Sequence, residues 1–457
     1  MPYWPLDQKL NRNIDRRAGT ITRAVNAMRD DAMHWRRFPG LASFCDLGTD
    51  SQVTPYWWER IGLGVAVSAG NLYKITPAWA ATLIPGASLH PSGHPYFADF
   101  GATLYIANGG RMVQWDGGAS CSYVADEDAP TDVVQIAAFG AYLLALDSQG
   151  GVWHSDAAAP GTWLGDFFTA QSQPDLTIAM QVGWEEVVLF GTSTVQSFFN
   201  SGDATDTIQA IQGSTIEVGV IAPDSVQKID NTYFFLDSQR KVQRVRARQN
   251  QVVSEPINAD LQALGTVNDA IGFHLTCNGE TFYCIVFPTD GRGFAYDYKR
   301  DDWTEFAGFA NGEYTRPKMT SAAYMQGWNK HIAGGYDGKL YQVSTAYNAE
   351  GANELRFELN LRMPTGTDTW KLSRNVRFKL KRGYGTSTPY MSLSYRDQGK
   401  AVWSNEKFLD LGTLTNDQEE YVELRRLGRY RDREWKIVVT DSVPVLIISA
   451  EEDVSRG

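Results

Sequence analysis

The feature that most limits what this chain can fold into is a recurring unit of short apolar strands joined by small polar turns. Val187 to Leu189 and Phe190 run into Gly191-Thr192-Ser193-Thr194, and a second apolar run follows from Val195 to Phe199. Thr232 to Leu236, the turn Asp237 to Arg240 and the run Lys241 to Val245 repeat the arrangement. One aromatic or aliphatic marker per unit can be followed along the chain: Tyr73, Trp115, Trp153, Phe198, Val242, Tyr296 and Tyr341. The steps between them are 42, 38, 45, 44, 54 and 45 residues. A four-stranded propeller blade takes about 40–50 residues. Seven markers at that step predict six or seven blades, with the ring closed so that no sheet edge is left to aggregate. A pair of β-sandwiches is the competing arrangement for this region.

Composition narrows the function classes. The 457 residues carry a net charge of −11, which argues against general nucleic-acid binding through a basic face but leaves room for a channel along which DNA slides unheld. The four cysteines, Cys45, Cys121, Cys277 and Cys284, form no CxxC pair. The Asn278-Gly279 turn sets Cys277 opposite Glu280 rather than Cys284, so reduced thiols and synthesis in a cytoplasm are expected. Met1 to Trp4 shows no leader pattern, and no apolar run approaches the roughly 20 residues of a membrane span.

Three regions follow: an N-terminal arm over residues 1–46, a β-propeller over 47–346 and a C-terminal antiparallel β domain over 347–457. Residues 1–45 carry eight Lys or Arg against four Asp or Glu, and 14–37 has weak helical spacing (Ile14, Ile21, Val25, Met28, Met33). A partner-contacting or structural arm is the expectation, ahead of a DNA-binding one. Residues 347–353 read as a linker. Beyond them apolar residues alternate strictly: Leu355, Phe357, Leu359, Leu361, Met363; then Val376, Phe378, Leu380; then Trp435, Ile437, Val439. Period two with one polar face predicts a β-sandwich. Residues 350–457 are +1, leaving −12 on residues 1–349, so the acidity belongs to the propeller region.

Ser394, Asp397, Gly399 and Trp403 form a spaced-out Asp-box, a fold device in which Asp ties turn amides, Gly supplies positive φ and Trp packs beneath. His90 and His94 lie in His-Pro-Ser-Gly-His-Pro, where the prolines forbid the helix that an i, i+4 zinc pair needs. Asp126-Glu127-Asp128 with Asp132 is an acidic loop without the alternation of a calcium site. No GxxxxGK[ST], GxSxG or HExxH motif occurs, and no catalytic residue, metal or cofactor is expected. Arg425, Arg426, Arg429, Arg431 and Arg433 crowd one decapeptide, a candidate phosphate contact or a loop answering acidic neighbours in an assembly.

The succession GTSTVQSFFNSGD, IQGSTIEVGVIAPDSVQKIDNTYFFLDSQRKVQRV and VVSEPINADLQAL resembles the packaged-DNA stabilisation proteins of short-tailed phages, also called tail-hub or nozzle proteins. RRFPGL, GNLYKI, FPTDGRGFAYDYKRDDWTEF and LRRLGRYRDREWKIVVTDSVPV extend the resemblance from about Arg36 to Val445. It implies a β-propeller subunit in a ring, usually of six copies, below the portal and its adaptor. That ring extends the DNA channel, helps retain the genome, connects to a tail needle, tailspike or fibre, and passes double-stranded DNA without tight binding. The place implied is the virion tail. A propeller lectin or glycosidase acting on host-surface glycans is the alternative, separated by whether the purified protein is a hollow ring or a glycan-binding monomer.

Overall fold

The computed structural model describes residues 3–5, 20–170, 175–183, 185–203, 207–363, 369–383, 388–412 and 418–456. Five consecutive four-stranded antiparallel sheets open the propeller. Blade 1 runs Val53–Trp58, Leu63–Ser68, Asn71–Ile75, Ala81–Ile84. Blade 2 starts at Tyr96–Phe100, blade 3 at Val133–Phe139, blade 4 at Thr177–Val182 and blade 5 at Gln227–Ile229. Blade 6 comprises Ile271–Cys277, Glu280–Phe287, Arg292–Asp297 and Asp302–Glu305. Blade 7 contributes Met319–Met325, Lys330–Gly335 and Lys339–Ser344. All seven sequence markers fall on the third strand of a blade, from Tyr73 in blade 1 to Tyr341 in blade 7.

The ring is closed rather than split into two sandwiches. One apolar cluster fills each junction between neighbouring blades: Trp58, Val65 and Leu72 of blade 1 meet Leu104, Ile106 and Trp115 of blade 2, and the pattern continues to blade 7. There Phe44, Ile332 and Leu340 return to Val53, Ala66 and Tyr73 of blade 1. Such a blade buries both faces only because it has two neighbours, which is why the count must close. The fourth strand of blade 7 is Gly40–Asp46, taken from before blade 1 and paired from Gly40↔Ser344 to Asp46↔Lys339. This clasp turns closure of the ring into a backbone ladder between distant parts of the chain.

The N-terminal segment is a structural arm tied into the sheets, and its weak helical spacing gives strands rather than a helix over the described residues. Ile14 lies outside the described residues, but Thr20–Val25, Ala27–Arg29 and Trp35–Arg37 are strands. Thr20–Val25 joins blade 6 in parallel at Val25↔Glu305 and Phe357–Arg362 in antiparallel, so the blade 6 sheet runs on into the C-terminal domain. The first sandwich sheet then continues Phe357–Arg362, Arg433–Val439, Tyr390–Asp397 and Lys407–Asp410. The second is ordered Ala27–Arg29, Trp35–Arg37, Leu446–Arg456, Lys371–Arg382, Gln418–Tyr430, with Tyr3–Pro5 also on Leu446–Arg456. Between the sheets lie Ile21, Trp35, Phe357, Leu359, Phe378, Leu393, Trp435 and Ile437. The alternating residues face this core. Glu358 and Asn360 opposite them are buried as well, because the Tyr314 hydroxyl donates to Glu358 (2.7 Å) and Arg23 lies over it.

The 347–353 stretch is likewise no linker: Ala349–Glu350 runs parallel to the clasp at Glu350↔Leu41, and Asn353–Glu354 pairs back on it. Three side chains fix the joint. Asn26 donates to the carbonyls of Ala307 and Arg356 (2.9 and 3.0 Å) and accepts from Ala307 N. Arg37, buried enough that its pKa falls to about 10, donates to the carbonyls of Asn348, Val439 and Asp441. Phe38 stacks on Phe306 and meets Phe282 edge-on. The RRFPGL motif is thus the place where propeller, sandwich and clasp are tied together.

Candidate interaction surfaces

Side chains from opposite sides of the propeller meet across its centre. The loop His90–Pro95 lies between blades 1 and 2, and His94 helps line two cavities of about 260 and 390 Å3 whose other lining residues include ones from the first strands of blades 1, 5, 6 and 7. Burial drives the His94 imidazole toward its neutral form, and its ring lies edge-on to Tyr96. Tyr96 donates across to Asp224 Oδ1 (2.6 Å), and burial, with the nearby Asp224 carboxylate, pushes the phenol well above its ordinary range. Met180 N donates to Gln135 Oε1 (2.6 Å), and Ser321 Oγ donates to Val53 O (2.7 Å). A double helix whose major groove alone is about 12 Å wide has no route through such a core.

The arginine decapeptide is not a loop. It covers the end of the strand Gln418–Tyr430, a two-residue turn and the start of Arg433–Val439. Its five guanidiniums separate into different environments. Arg433 is 4% exposed and grips Asp397 with two bonds (2.6 and 2.9 Å), donates to Leu427 O, and lies over the rings of Tyr395, Tyr430 and Trp435. It is a core residue, out of reach of a phosphate or a partner. Arg425 is exposed and paired with Glu423. Arg426 bulges outward with φ +62°, at the irregularity in the ladder to Lys371–Arg382. Arg429 and Arg431 both lie over the exposed indole of Trp370, at 5.6 and 5.0 Å, with no carboxylate at ion-pair distance among the described residues. Sequence reading missed Trp370, which precedes the strand and has no motif of its own.

The Asp-box residues come together only in part. Gly399 has φ +67° and closes the turn, but the Asp397 carboxylate takes Arg433 instead of the turn amides. Ser394 is buried in its strand, while Trp403 is half-buried with Arg396 and Lys436 over its ring. The device that the motif describes is found elsewhere. Asp147 accepts from Gln149 N, Gly151 N and Trp153 Nε1, and Asp237 accepts from Gln239 N, Lys241 N and Gln243 Nε2. In both blades one carboxylate ties the turn to the third strand. A further cleft, about 730 Å3, lies where Arg23, Arg356, Arg362 and Arg396 meet Glu358 and Glu434 beside the Tyr314 hairpin. Its charges are largely consumed internally: Arg362 and Arg396 both bind Glu434.

The four cysteines are buried free thiols, and Cys277 pairs with Glu280 in its hairpin. In the acidic loop Asp126 accepts from Asp128 N, and Asp132 takes the Ser148 hydroxyl. No cluster of potential metal ligands occurs among the described residues, and no helix among them is long and apolar enough to cross a membrane.

Comparison with known proteins adds the lineage. Solved structures similar to this chain include the WD40 β-propeller domain of Doa1 (13% identity, TM-score 0.42, 67% of this chain and 97% of that one). BamB from Moraxella catarrhalis (11%, 0.40, 66% and 99%) and virginiamycin B lyase from Staphylococcus aureus (8%, 0.45, 67% and 99%) are others. At these scores they add nothing to the fold described above. No curated protein matches. The profile of the family described as "Bacteriophage P22 Gp10, beta-propeller" matches residues 21–347, from the first sandwich strand through the clasp and all seven blades. With well over half of its length matched, the chain belongs to this packaged-DNA stabilisation family of phage tail structural proteins.

Proposed function

We propose that this chain is a wall-forming subunit of a short-tailed phage tail. Copies, six by the family resemblance, close into a ring that extends the DNA channel below the portal and its adaptor. The ring retains packaged DNA and connects to the needle, tailspike or fibres. The family match carries the reading. Two features support it. The Tyr96–Asp224 bond, which joins blade 2 to the turn before blade 5, supports a DNA path between copies rather than through one. A nine-stranded sheet shared by blade 6 and the sandwich ties the two together through backbone ladders, which suits a wall that must withstand packaged DNA. The role involves no reaction, only a surface that repels phosphate: −12 on residues 1–349 suits passage, since each phosphate contact would slow it.

Particles assembled without this chain test the reading. They should fill with DNA and then lose it, measured as nuclease-sensitive DNA over time. Particles that stay filled without it would remove the retention role.

A further inference from the structure

We propose that neighbouring copies join head to tail, the arginine–tryptophan tip of one sandwich seating on the outer strand of blade 3 of the next. The inference rests on the ring reading above and adds how its subunits meet.

The tip offers charge and apolar surface together. Trp370 is 43% and Leu372 39% exposed, and the guanidiniums of Arg429 and Arg431 flank the indole without carboxylate partners among the described residues. Aromatic and arginine side chains in contact are the usual anchors of protein interfaces. Blade 3 presents the complement. Its outer strand, Ala159–Phe168, exposes Leu164 (57%) and Phe167 (56%), more than a solvent-facing strand needs. Asp166 lies on the same strand. Asp128 stands beside Gly165 on that strand, since a Cβ placed on Gly165 would lie 3.8 Å from Asp128 Oδ1, and Glu127 precedes it in the chain. All three carboxylates are exposed, and none has an ion-pair partner among the described residues.

Position favours a ring. The sandwich is rooted in blades 6 and 7 through the shared sheet and the clasp. Blade 3 is three blades away in either direction, so it stands across the propeller from the root of the sandwich. A contact between two different surfaces propagates and closes where the rotation allows, whereas a self-complementary patch stops at a dimer. A DNA backbone would satisfy the arginines but offers nothing to Trp370 and Leu372; blade 3 satisfies both.

Charge reversal tests this. One variant carries Arg429→Glu and Arg431→Glu; the other carries Glu127→Arg, Asp128→Arg and Asp166→Arg. All changed side chains are exposed, and circular dichroism should show an unchanged fold. Native mass spectrometry of the full chain, and electron microscopy of tails rebuilt on particles lacking it, read the ring. Each variant alone should need at least about a hundredfold higher concentration to assemble, because like charges now face each other. Mixed one to one, they should regain rings of alternating composition. Variants that assemble as the wild type does, or a mixture that stays monomeric, overturn the proposal while the wild-type ring stands. Normal rings that leak DNA after Arg429→Glu and Arg431→Glu would assign the tip to phosphate instead. A wild-type chain forming no ring, free or on the particle, removes the underlying reading itself.

Discussion

Replacing Arg433 separates a buried keystone from an exposed contact. Arg433→Ala leaves Asp397 without its two bonds of 2.6 and 2.9 Å, strips Leu427 O of a donor, and empties a box of three rings whose centres lie 4.1, 4.2 and 5.4 Å from the guanidinium carbon. Breaking one partner of a buried ion pair costs about 3–5 kcal/mol, because the remaining charge is left uncompensated. Each ring contact adds on the order of 0.5–2 kcal/mol, though these overlap with the cavity left behind. The expected loss is therefore about 4 kcal/mol. Arg429→Ala, which removes an exposed side chain lying over one indole, should cost under about 0.5 kcal/mol. Urea unfolding followed by tryptophan fluorescence reads both. In a double-mutant cycle with Asp397→Asn, the pair should couple by at least about 2 kcal/mol. Equal, small losses for Arg433→Ala and Arg429→Ala would refute the keystone and return Arg433 to the surface.

Three other perturbations follow from the same geometry. Gly40→Ala would set a methyl 2.3 Å from Tyr347 O and 2.7 Å from Ala349 O, where the clasp crosses the joint, and should cost about 1–3 kcal/mol in urea unfolding; an unchanged midpoint would mean that the clasp is loose. Glu350 is buried with Oε1 accepting from Lys318 N, and burial raises its pKa from 4.5 to about 7. The proton it holds when folded stabilises the chain at acid pH, and that gain is lost as pH climbs through 7. Glu350→Gln should therefore be more stable than wild type at pH 8, by up to about 3 kcal/mol, with the difference closing toward pH 4; a pH-independent difference would contradict the burial argument. All four thiols are buried and pushed up in pKa, Cys284 furthest, so a thiol reagent should label none in the native chain at pH 8 and all four after unfolding.

What the sequence discloses and what it withholds divides along local and distant pairing. The blades are legible because strand, turn and marker recur locally: Thr232–Leu236 stands in the structure where the apolar run places it, and the longest marker step, 54 residues from Val242, contains the extra turn Glu255–Ile257 and the helix Asn258–Ala263. The alternation at Phe357–Arg362 shows the sandwich core for the same reason. The N-terminal strands are not legible. Gly40–Asp46 finds its partner about 300 residues later, and no local period announces which sheet will accept it. Among the arginines, spacing alone makes all five look alike. Arg433 is set apart by Tyr395 and Asp397 on a neighbouring strand, and Arg429 and Arg431 by Trp370, a residue outside their own hairpin. Charge patterning names the residue type at a surface; the fold decides which members reach it.

The most direct test of the account is a density map of the assembled tail. It should show a closed ring of copies around a bore formed between subunits, with every propeller axis filled at His94 and Tyr96. Density for DNA running along a propeller's own axis, or a single copy per tail, would contradict it.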